Sequence, residues 1–567
     1  MATCRTQSCL CALAALSFLV AGVASVPASF RSSKPTRNHV DAAAADLITS
    51  LPGLPKGVNF KQYAGYVDIG GGKEIFYWFV ESQRNPAADP LVLWTNGGPG
   101  CSGLTGFLSE QGPFRAAADG SLTVNKYAWN KVANMVFIEQ PAGVGFSPAP
   151  SGMVYSDSQA ATDNKKFIDG FLLKFPEYKA RDFYLTSESY GGHYLPTLAQ
   201  KLVASGMSTF KGFAVGNPLT WMPYRDYGQY AQYAARQMVP APMWQQFVSH
   251  GCALSSVNES VCDDLMSQMD DLTQDLDPYA LDFPTCKDPS LSPGREERLA
   301  LMRKVRQAQA VSAGMAGGEV GKLSGYFPHY KPCTDNYMTN YLNKKEVQAA
   351  IHVKNPGSVD WAVCADAINE AYSPKDVGAP MMPIYRQLIK GGGLRILVYS
   401  GDDDSICSTA GAQLWVWGLG TPVEAWKPWY SRGQVAGYTV AFPGLRFSTV
   451  HGAGHMVRDL SVPVPRRDFV HMHSLVCNSQ TSCRACTHTD TRGRDTDCEI
   501  MHKYVCMYIC RFPRHVRSRR LTCLSASLTR RSNLRSLASP SWARRVKSAW
   551  MLPREYVFPA GITTTGN

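Results

Sequence analysis

Ser189 lies in the stretch Asp182-Phe-Tyr-Leu-Thr-Ser-Glu-Ser-Tyr-Gly-Gly-His-Tyr-Leu-Pro196. A β-type run ends there at Ser187-Glu188-Ser189-Tyr190-Gly191, and a helical segment follows. A serine hydroxyl is a weak nucleophile until a base takes its proton and a third group orients that base. A sharp strand–turn–helix connection lifts such a side chain clear of the backbone, and it closes only where the residues two positions to either side are small. Gly191 meets this need, and Ser187 stands where a glycine is usual. Alone, this serine pattern is weak. Two later segments strengthen it. Ile396–Ser400 reads as a strand that ends in Gly401-Asp-Asp-Asp404, and Val450-His-Gly-Ala-Gly-His455-Met-Val457 reads as a strand end followed by a small-residue loop. The third carboxylate of the first loop, Asp404, is the candidate orienting acid. His455, set in Gly-His-Met-Val, is a better candidate base than His451. A lone histidine is usually a satisfied structural one. Three elements in serine–acid–histidine order, each at a strand end, argue against that reading here.

A fourth element is a glycine-dense turn, Trp94-Thr-Asn-Gly-Gly-Pro-Gly-Cys-Ser102, which follows an apolar run. Backbone N–H groups approach a substrate closely only where no Cβ intervenes. The amides of Gly98 and of Tyr190, just after the nucleophile, are the expected donors to the oxyanion of an acyl-transfer intermediate. A phosphate-binding loop is the rival for such glycines, but no lysine follows them. The chain order of nucleophile, acid and base is that of α/β-hydrolases.

The elements that must hold these loops are legible as short apolar runs. Tyr63–Ile69 and Glu74–Glu81 form a hairpin across Gly70-Gly71-Gly72. Leu91–Trp94, Met135–Ile138, Phe183–Leu185, Gly212–Val215, Ile396–Tyr399 and Phe447–Val450 suit buried strands, and from Phe183 onward they alternate with helical stretches. The expected fold class is therefore α/β: the α/β-hydrolase fold, a mostly parallel central sheet with an inserted helical cap at about 220–345. The cap stretch breaks the strand–helix rhythm and carries helical runs such as Arg295–Ala313. Asn258-Glu259-Ser260 is a glycosylation sequon within it, which expects Asn258 at the surface.

The wider organisation reads as a signal peptide at 1–24, a pro-segment or linker at 25–46, a catalytic domain at 47–470 and a basic, Cys-rich tail at 471–567. Arg5, the apolar run Cys11–Val23 and Gly22-Val23-Ala24 carry the signal reading. That run is shorter than the roughly 20 residues a membrane span requires, and no later run reaches that length, so no membrane span is expected. The net charge of +12 is concentrated in the tail, where 16 Lys/Arg face 5 Asp/Glu, so the body shows no electrostatic footprint for nucleic acid. The tail lacks hydrophobic periodicity and reads as disordered, or as the product of a misread exon boundary. Its Cys483-x-x-Cys486 pair lacks partners at zinc spacing, so neither a metal nor a cofactor is expected. Of 17 cysteines, seven lie in the body: Cys101, Cys252, Cys262, Cys286, Cys333, Cys364 and Cys407. A secretory signal makes disulfides expected there, with at least one thiol left over.

The segments Trp-x-Asn-Gly-Gly-Pro-Gly-Cys-Ser, Glu-Ser-Tyr-Gly-Gly, Gly-Asp-x-Asp and Gly-His-Met-Val resemble those of the serine carboxypeptidases, peptidase family S10, from about Leu51 to Val457. The resemblance implies Ser189, Asp404 and His455 as the catalytic triad. It also implies a set that binds the substrate's terminal carboxylate: Asn96, Glu110 and Glu188, with Trp94 lining the site. It implies a Cys101–Cys364 bridge; Cys252–Cys262 and Cys286–Cys333 are the remaining pairs expected in the cap, which leaves Cys407 as a free thiol close to Asp404. The expected partners are peptides or proteins with a free C-terminus, cleaved at acid pH in the secretory pathway, outside the cell or in a lysosome or vacuole. A homodimer follows only by analogy. An acyltransferase on the same scaffold and a catalytically impaired binding protein are the rival readings. Retention of Glu110 and Glu188 favours peptides over the first, and an intact triad argues against the second. The family pattern breaks after Val457, where Arg458-Asp-Leu-Ser-Val-Pro-Val-Pro465 shows no helical stripe in place of the family's amphipathic helix.

Overall fold

The computed structural model describes residues 43–255, 258–286, 333–431 and 433–457. The expected leader, most of the linker, the helical run 295–313, the segment 458–465 and the tail lie outside these residues. The chain divides into two units, and the described residues all belong to the first, Met1–Thr481.

The hairpin forms where the glycines predict it. Strands β1 (Gln62–Gly70) and β2 (Lys73–Val80) pair antiparallel from Gln62 opposite Val80. Gly71 and Gly72 take φ of +69° and +74°, a region that an L side chain resists. Next come β3 (Leu91–Thr95), α1 (Leu104–Ser109), a small ribbon of β4 (Phe114–Ala116) and β5 (Leu122–Val124), β6 (Asn134–Ile138) and α2 (Asp157–Lys174). The chain continues with β7 (Phe183–Glu188), α3 (Gly191–Ala204) and β8 (Phe210–Gly216). The ten-stranded sheet has the order β1-β2-β6-β3-β7-β8-β9-β12-β11-β10, with β9 at Arg395–Gly401, β10 at Glu424–Ser431, β11 at Gln434–Phe442 and β12 at Leu445–Val450. The run from β6 to β12 is parallel, and antiparallel strands flank it on both sides. Strands β3, β6 and β7 are buried along their whole length, which is why they read as unbroken apolar runs.

Side chains alternate across the sheet and so divide the core in two. Tyr77, Phe79, Leu93, Leu185 and Val398 pack with α2 and α3 on one face, whereas Phe76, Trp78, Val92, Trp94 and Phe137 pack with α1 on the other. The β10–β11 hairpin was not expected from the sequence. Pro428 lies within β10 and lowers its strand signal, but β10 is an edge strand, where a missing N–H is tolerated.

Between β8 and β9 the chain leaves the sheet for residues 217–394. Helices α4 (Met222–Ala235), α5 (Ala241–Ser249) and α6 (Glu259–Thr273) form a separate cluster around Tyr230, Phe247, Cys252, Cys262 and Met269. Asn258 caps α6 with its side chain and is exposed. Helix α7 (Thr334–Leu342), by contrast, packs Met338, Tyr341 and Leu342 against the sheet beside α1. The excursion continues through α8 (Lys345–Ala350), α9 (Asp366–Ala371), α10 (Pro374–Val377) and α11 (Met382–Gly391). Helix α12 (Thr409–Val416) follows β9.

Candidate active site

Strand β7 ends at Glu188, and Ser189 takes φ of +57° before α3 begins at Gly191. Few non-glycine residues adopt this conformation, and here backbone bonds hold it: Ser189 N–H donates to the Gly216 carbonyl (3.0 Å), and the Ser189 carbonyl accepts from Leu219 (2.8 Å) and Gly192 (2.9 Å). A Cβ on Gly191 would meet Ser187 Oγ at 2.0 Å. The turn thus depends on that glycine, while the buried Ser187 fits at the other position.

The C-terminal ends of β9 and β12, which pair in parallel, carry the candidate acid and the candidate base. Asp404 Oδ2 lies 2.7 Å from His455 Nδ1. Asp404 also accepts from the backbone N–H groups of Ile406 (2.8 Å) and Cys407 (3.1 Å). Both side chains are buried. A cavity of about 850 Å³ brings Ser189, His455, Gly98, Tyr190, Asn96, Glu188 and Cys407 onto one wall system. Among the described residues no hydrogen bond joins Ser189 to His455, and the Ser189 hydroxyl lies against the Cys407 thiol. Such contacts commonly tighten only when substrate binds. The N–H groups of Gly98 and Tyr190 donate to no other group among the described residues, so both are free to meet an oxyanion. Gly97 makes this approach possible: a Cβ there would sit 2.5 Å from the Tyr190 nitrogen.

Asn96 is the centre of the carboxylate set. Its Nδ2 donates to Glu110 (3.1 Å) and to Glu188 (2.8 Å), while its Oδ1 accepts from Trp94 Nε1 (2.7 Å) and the Gly106 N–H (3.1 Å). The Trp94 expectation needs correction. Its ring is buried behind Asn96 and orients that amide, and it does not line the cavity; Glu110 likewise stands one layer back. The reason is depth: Trp94 lies within β3 and packs in the core with Phe107 and Phe137, whereas Asn96 stands two residues further on, past the strand's end. Disulfides join Cys101–Cys364, Cys252–Cys262 and Cys286–Cys333, and Cys407 is a buried free thiol. The first of these ties the glycine turn to the segment before α9. Among the described residues no cluster of three or more His, Cys, Asp or Glu could hold a metal ion.

Residues 52–471 match the family described as serine carboxypeptidase. The chain belongs to the serine carboxypeptidase family. It is 36% identical over 453 residues to serine carboxypeptidase 24 of Arabidopsis thaliana, covering 77% of this chain and 92% of that one. It is 36% identical over 433 residues to serine carboxypeptidase-like 26 of Oryza sativa subsp. japonica, covering 73% and 86%. The crystal structure of Kex1(delta)p, a prohormone-processing carboxypeptidase from Saccharomyces cerevisiae, shares the fold at a TM-score of 0.59 and 18% identity over 76% of this chain and 96% of that one.

Within this serine carboxypeptidase site, three contributions escaped sequence reasoning. Asn217, just past β8 at φ of +38°, donates through Nδ2 to Asp404 Oδ2 (2.8 Å) and accepts the Gly401 N–H through Oδ1 (3.0 Å). Its signal was faint: an asparagine at a strand's C-terminal end, before Pro218. Tyr279 of the cap accepts the His455 N–H at its carbonyl (2.8 Å) and sets its ring edge against the imidazole. Arg236, at the end of α4, bridges Asp282 (2.6 Å) and the buried Asp403 (2.7 Å). Burial pushes Asp403 up to about 7, with Arg236 opposing that rise. No local pattern announces the last two, because their partners are distant in sequence.

Proposed function

We propose that this chain is a serine-type carboxypeptidase that removes the C-terminal residue of peptides and proteins through an acyl-enzyme, and that it does so best in acid. The observation that carries this reading is the shared cavity: a serine on a strained turn, a histidine bonded to a buried aspartate, two free backbone N–H groups, and Glu188 on the Asn96 amide that also holds Glu110 from behind. The Ser189 hydroxyl attacks the carbonyl carbon of the last peptide bond and its proton passes to His455 Nε2. The oxyanion that forms takes hydrogen bonds from the amides of Gly98 and Tyr190. Asp404 keeps the imidazole oriented and stabilises its charge. His455 then returns the proton to the leaving nitrogen as the C–N bond breaks. Water, activated by the same base, releases the acyl group.

Asn96, Glu188 and Glu110 account for the choice of chain end. Two carboxyls held on one amide cannot both ionise cheaply, so one keeps a proton and donates it to the substrate's terminal carboxylate. The sign follows. Binding is intact while the pair holds its proton and is lost as pH rises through the pair's titration. Peptides with a free C-terminus are therefore expected to lose kcat/KM toward alkaline pH, whereas C-terminal amides start weaker and escape that loss. A peptide profile flat from mildly acid to alkaline pH contradicts the carboxyl-pair reading. Loss of fluorophosphonate labelling in Ser189→Ala, together with loss of turnover, tests the nucleophile, and an acyl-ester donor offered with an alcohol tests the transferase rival. The three disulfides support an oxidising compartment of the secretory pathway.

A further inference from the structure

Behind the nucleophile turn lies a second aspartate–histidine pair that the mechanism above does not use. Asp157 opens α2 and is buried. Its Oδ1 accepts from the hydroxyls of Tyr190 (3.1 Å) and Tyr372 (2.9 Å), and its Oδ2 lies 3.0 Å from His193 Nδ1. Its backbone N–H donates to Asp376 (3.0 Å). The His193 ring stacks on the Tyr190 ring, with centroids 4.5 Å apart and planes 11° apart. Tyr372 and Tyr194 meet the same ring edge-on. The Tyr194 hydroxyl accepts the Gly100 N–H (3.2 Å), so the glycine turn is held by the same cluster. Burial pushes the phenols of Tyr190, Tyr194 and Tyr372 far up, which keeps all three protonated. His193 Nε2 is buried and has no partner among the described residues, so a proton on Nδ1 alone is the tautomer that fits.

We infer that Asp157 is a positioning residue for the oxyanion hole. One carboxylate gathers three donors, and one of them is the side chain of Tyr190, whose backbone N–H faces the developing charge. Fixing that ring fixes the direction of the N–H. This inference rests on the acyl-enzyme reading of the site. Asp157 touches neither substrate nor reacting atoms and acts only through Tyr190 and the turn.

The test uses the full chain and a matched pair of ligands: an N-blocked peptide aldehyde and the corresponding peptide alcohol. The aldehyde adds Ser189. A bond forms from Oγ to the aldehyde carbon, the carbonyl electron pair moves to oxygen, and the hydroxyl proton goes to His455. The alcohol, which has neither a carboxylate nor an electrophilic carbon at its end, occupies the same acyl subsite without forming that bond. In Asp157→Asn, kcat on an N-blocked dipeptide is expected to fall about tenfold or more, since losing a single oxyanion donor outright costs roughly 10²–10³. Aldehyde affinity should fall by a similar factor, while KM and the affinity for the alcohol stay within about twofold, because only transition-state-like binding is lost. His193→Phe keeps the stacking and removes the hydrogen bond, so it should move the same quantities less, and His193→Gln, which can still donate to Asp157, should recover part of the loss. Equal losses for aldehyde and alcohol, or no loss of kcat in either Asp157→Asn or His193→Phe, would overturn the assignment. If Asp157→Asn fails to fold, the two His193 variants decide. A wild-type chain that neither hydrolyses the dipeptide nor binds the aldehyde sinks the peptidase reading instead.

Discussion

At the scale of single residues, Asp404, the proposed orienting acid, is held by Asn217 and by the backbone N–H groups of Ile406 and Cys407, and Asn217 supplies the bond that comes from beyond another strand. Replacing it with alanine leaves one lone pair of Asp404 and the Gly401 N–H without partners, at about 1–3 kcal/mol for unmade buried bonds. The looser carboxylate lets the imidazole swing. Asn217→Ala is therefore expected to lower kcat about tenfold to hundredfold. Steady-state kinetics alongside a urea midpoint would separate the two effects, and a variant with wild-type kcat would remove Asn217 from the site. Cys407 sits beside both Asp404 and Ser189. Burial pushes its thiol well up, and the nearby Asp404 adds to the rise. Since the thiolate is the nucleophile, alkylation by iodoacetamide near neutral pH should be slow. A mercurial, whose soft metal binds sulfur strongly, should instead fill the space next to the hydroxyl and block fluorophosphonate labelling. Resistance of Cys407→Ser to the same reagent is the matching control; full labelling of a fully mercurated wild-type chain would refute the idea.

At the scale of elements, the cap does more than cover the cavity. Its segment Asp277–Asp282 is bonded into both catalytic loops: Leu281 N–H donates to the Asp403 carbonyl, Ser405 N–H to that of Pro278, and His455 N–H to that of Tyr279. Arg236 clamps this segment to Asp403 from the end of α4, and Gln232 reaches the Asp402 carbonyl from the preceding turn (2.6 Å). Removing the arginine leaves a buried carboxyl without its cation, a loss of about 3–5 kcal/mol for fully buried pairs and less here, since Arg236 is partly exposed. Arg236→Ala should therefore unfold at lower denaturant and lower kcat more than it raises KM, because the base and not the substrate contacts is disturbed. An unchanged kcat in a destabilised variant would reduce the clamp to a purely structural tie.

At the scale of the whole molecule, two buried carboxyls set the direction of stability with pH. Burial raises Glu139 from 4.5 to about 7, against three opposing hydrogen bonds from Ser102, Trp361 and the Phe146 N–H. Asp403 rises from 3.8 to about 7, again through burial. A folded-state pKa above the unfolded one means that the native chain binds the extra proton between those values. Stability is then full below about 4.5 and falls as pH climbs to about 7, with each pKa unit equivalent to about 1.4 kcal/mol at most. The thermal midpoint is expected to drop across that window and level off above it. Glu139→Gln should flatten the slope even if it lowers the midpoint throughout. A midpoint that climbs between pH 5 and 7 would contradict this balance. An acid optimum for folding and one for peptide binding then coincide, for unrelated physical reasons.

The strands and the catalytic chemistry were legible early, because both are local. Buried parallel strands must be apolar on both faces, so β3, β6 and β7 stood out as short runs, and the turn at Ser189 needs small neighbours that the chain spells out. What remained hidden depends on which distant segments meet. Asp402, Asp403 and Asp404 are chemically identical neighbours, yet the fold sends the first to His451, the second to Arg236 and the third to His455. Their order alone singled out the third only through a loop pattern. Trp94 read as a wall of the site and proved to be the support behind Asn96, since it lies within β3 on the same side as Asn96 but two residues short of the cavity at the strand's end. Asn217 carries only a faint local signature and Asp157 none, because each gains its role from partners brought beside it by sheet register and helix packing. Short-range sterics and periodicity thus determined the elements and the reacting groups, while the orientation of those groups was decided by contacts that exist only once the sheet and its layers have closed.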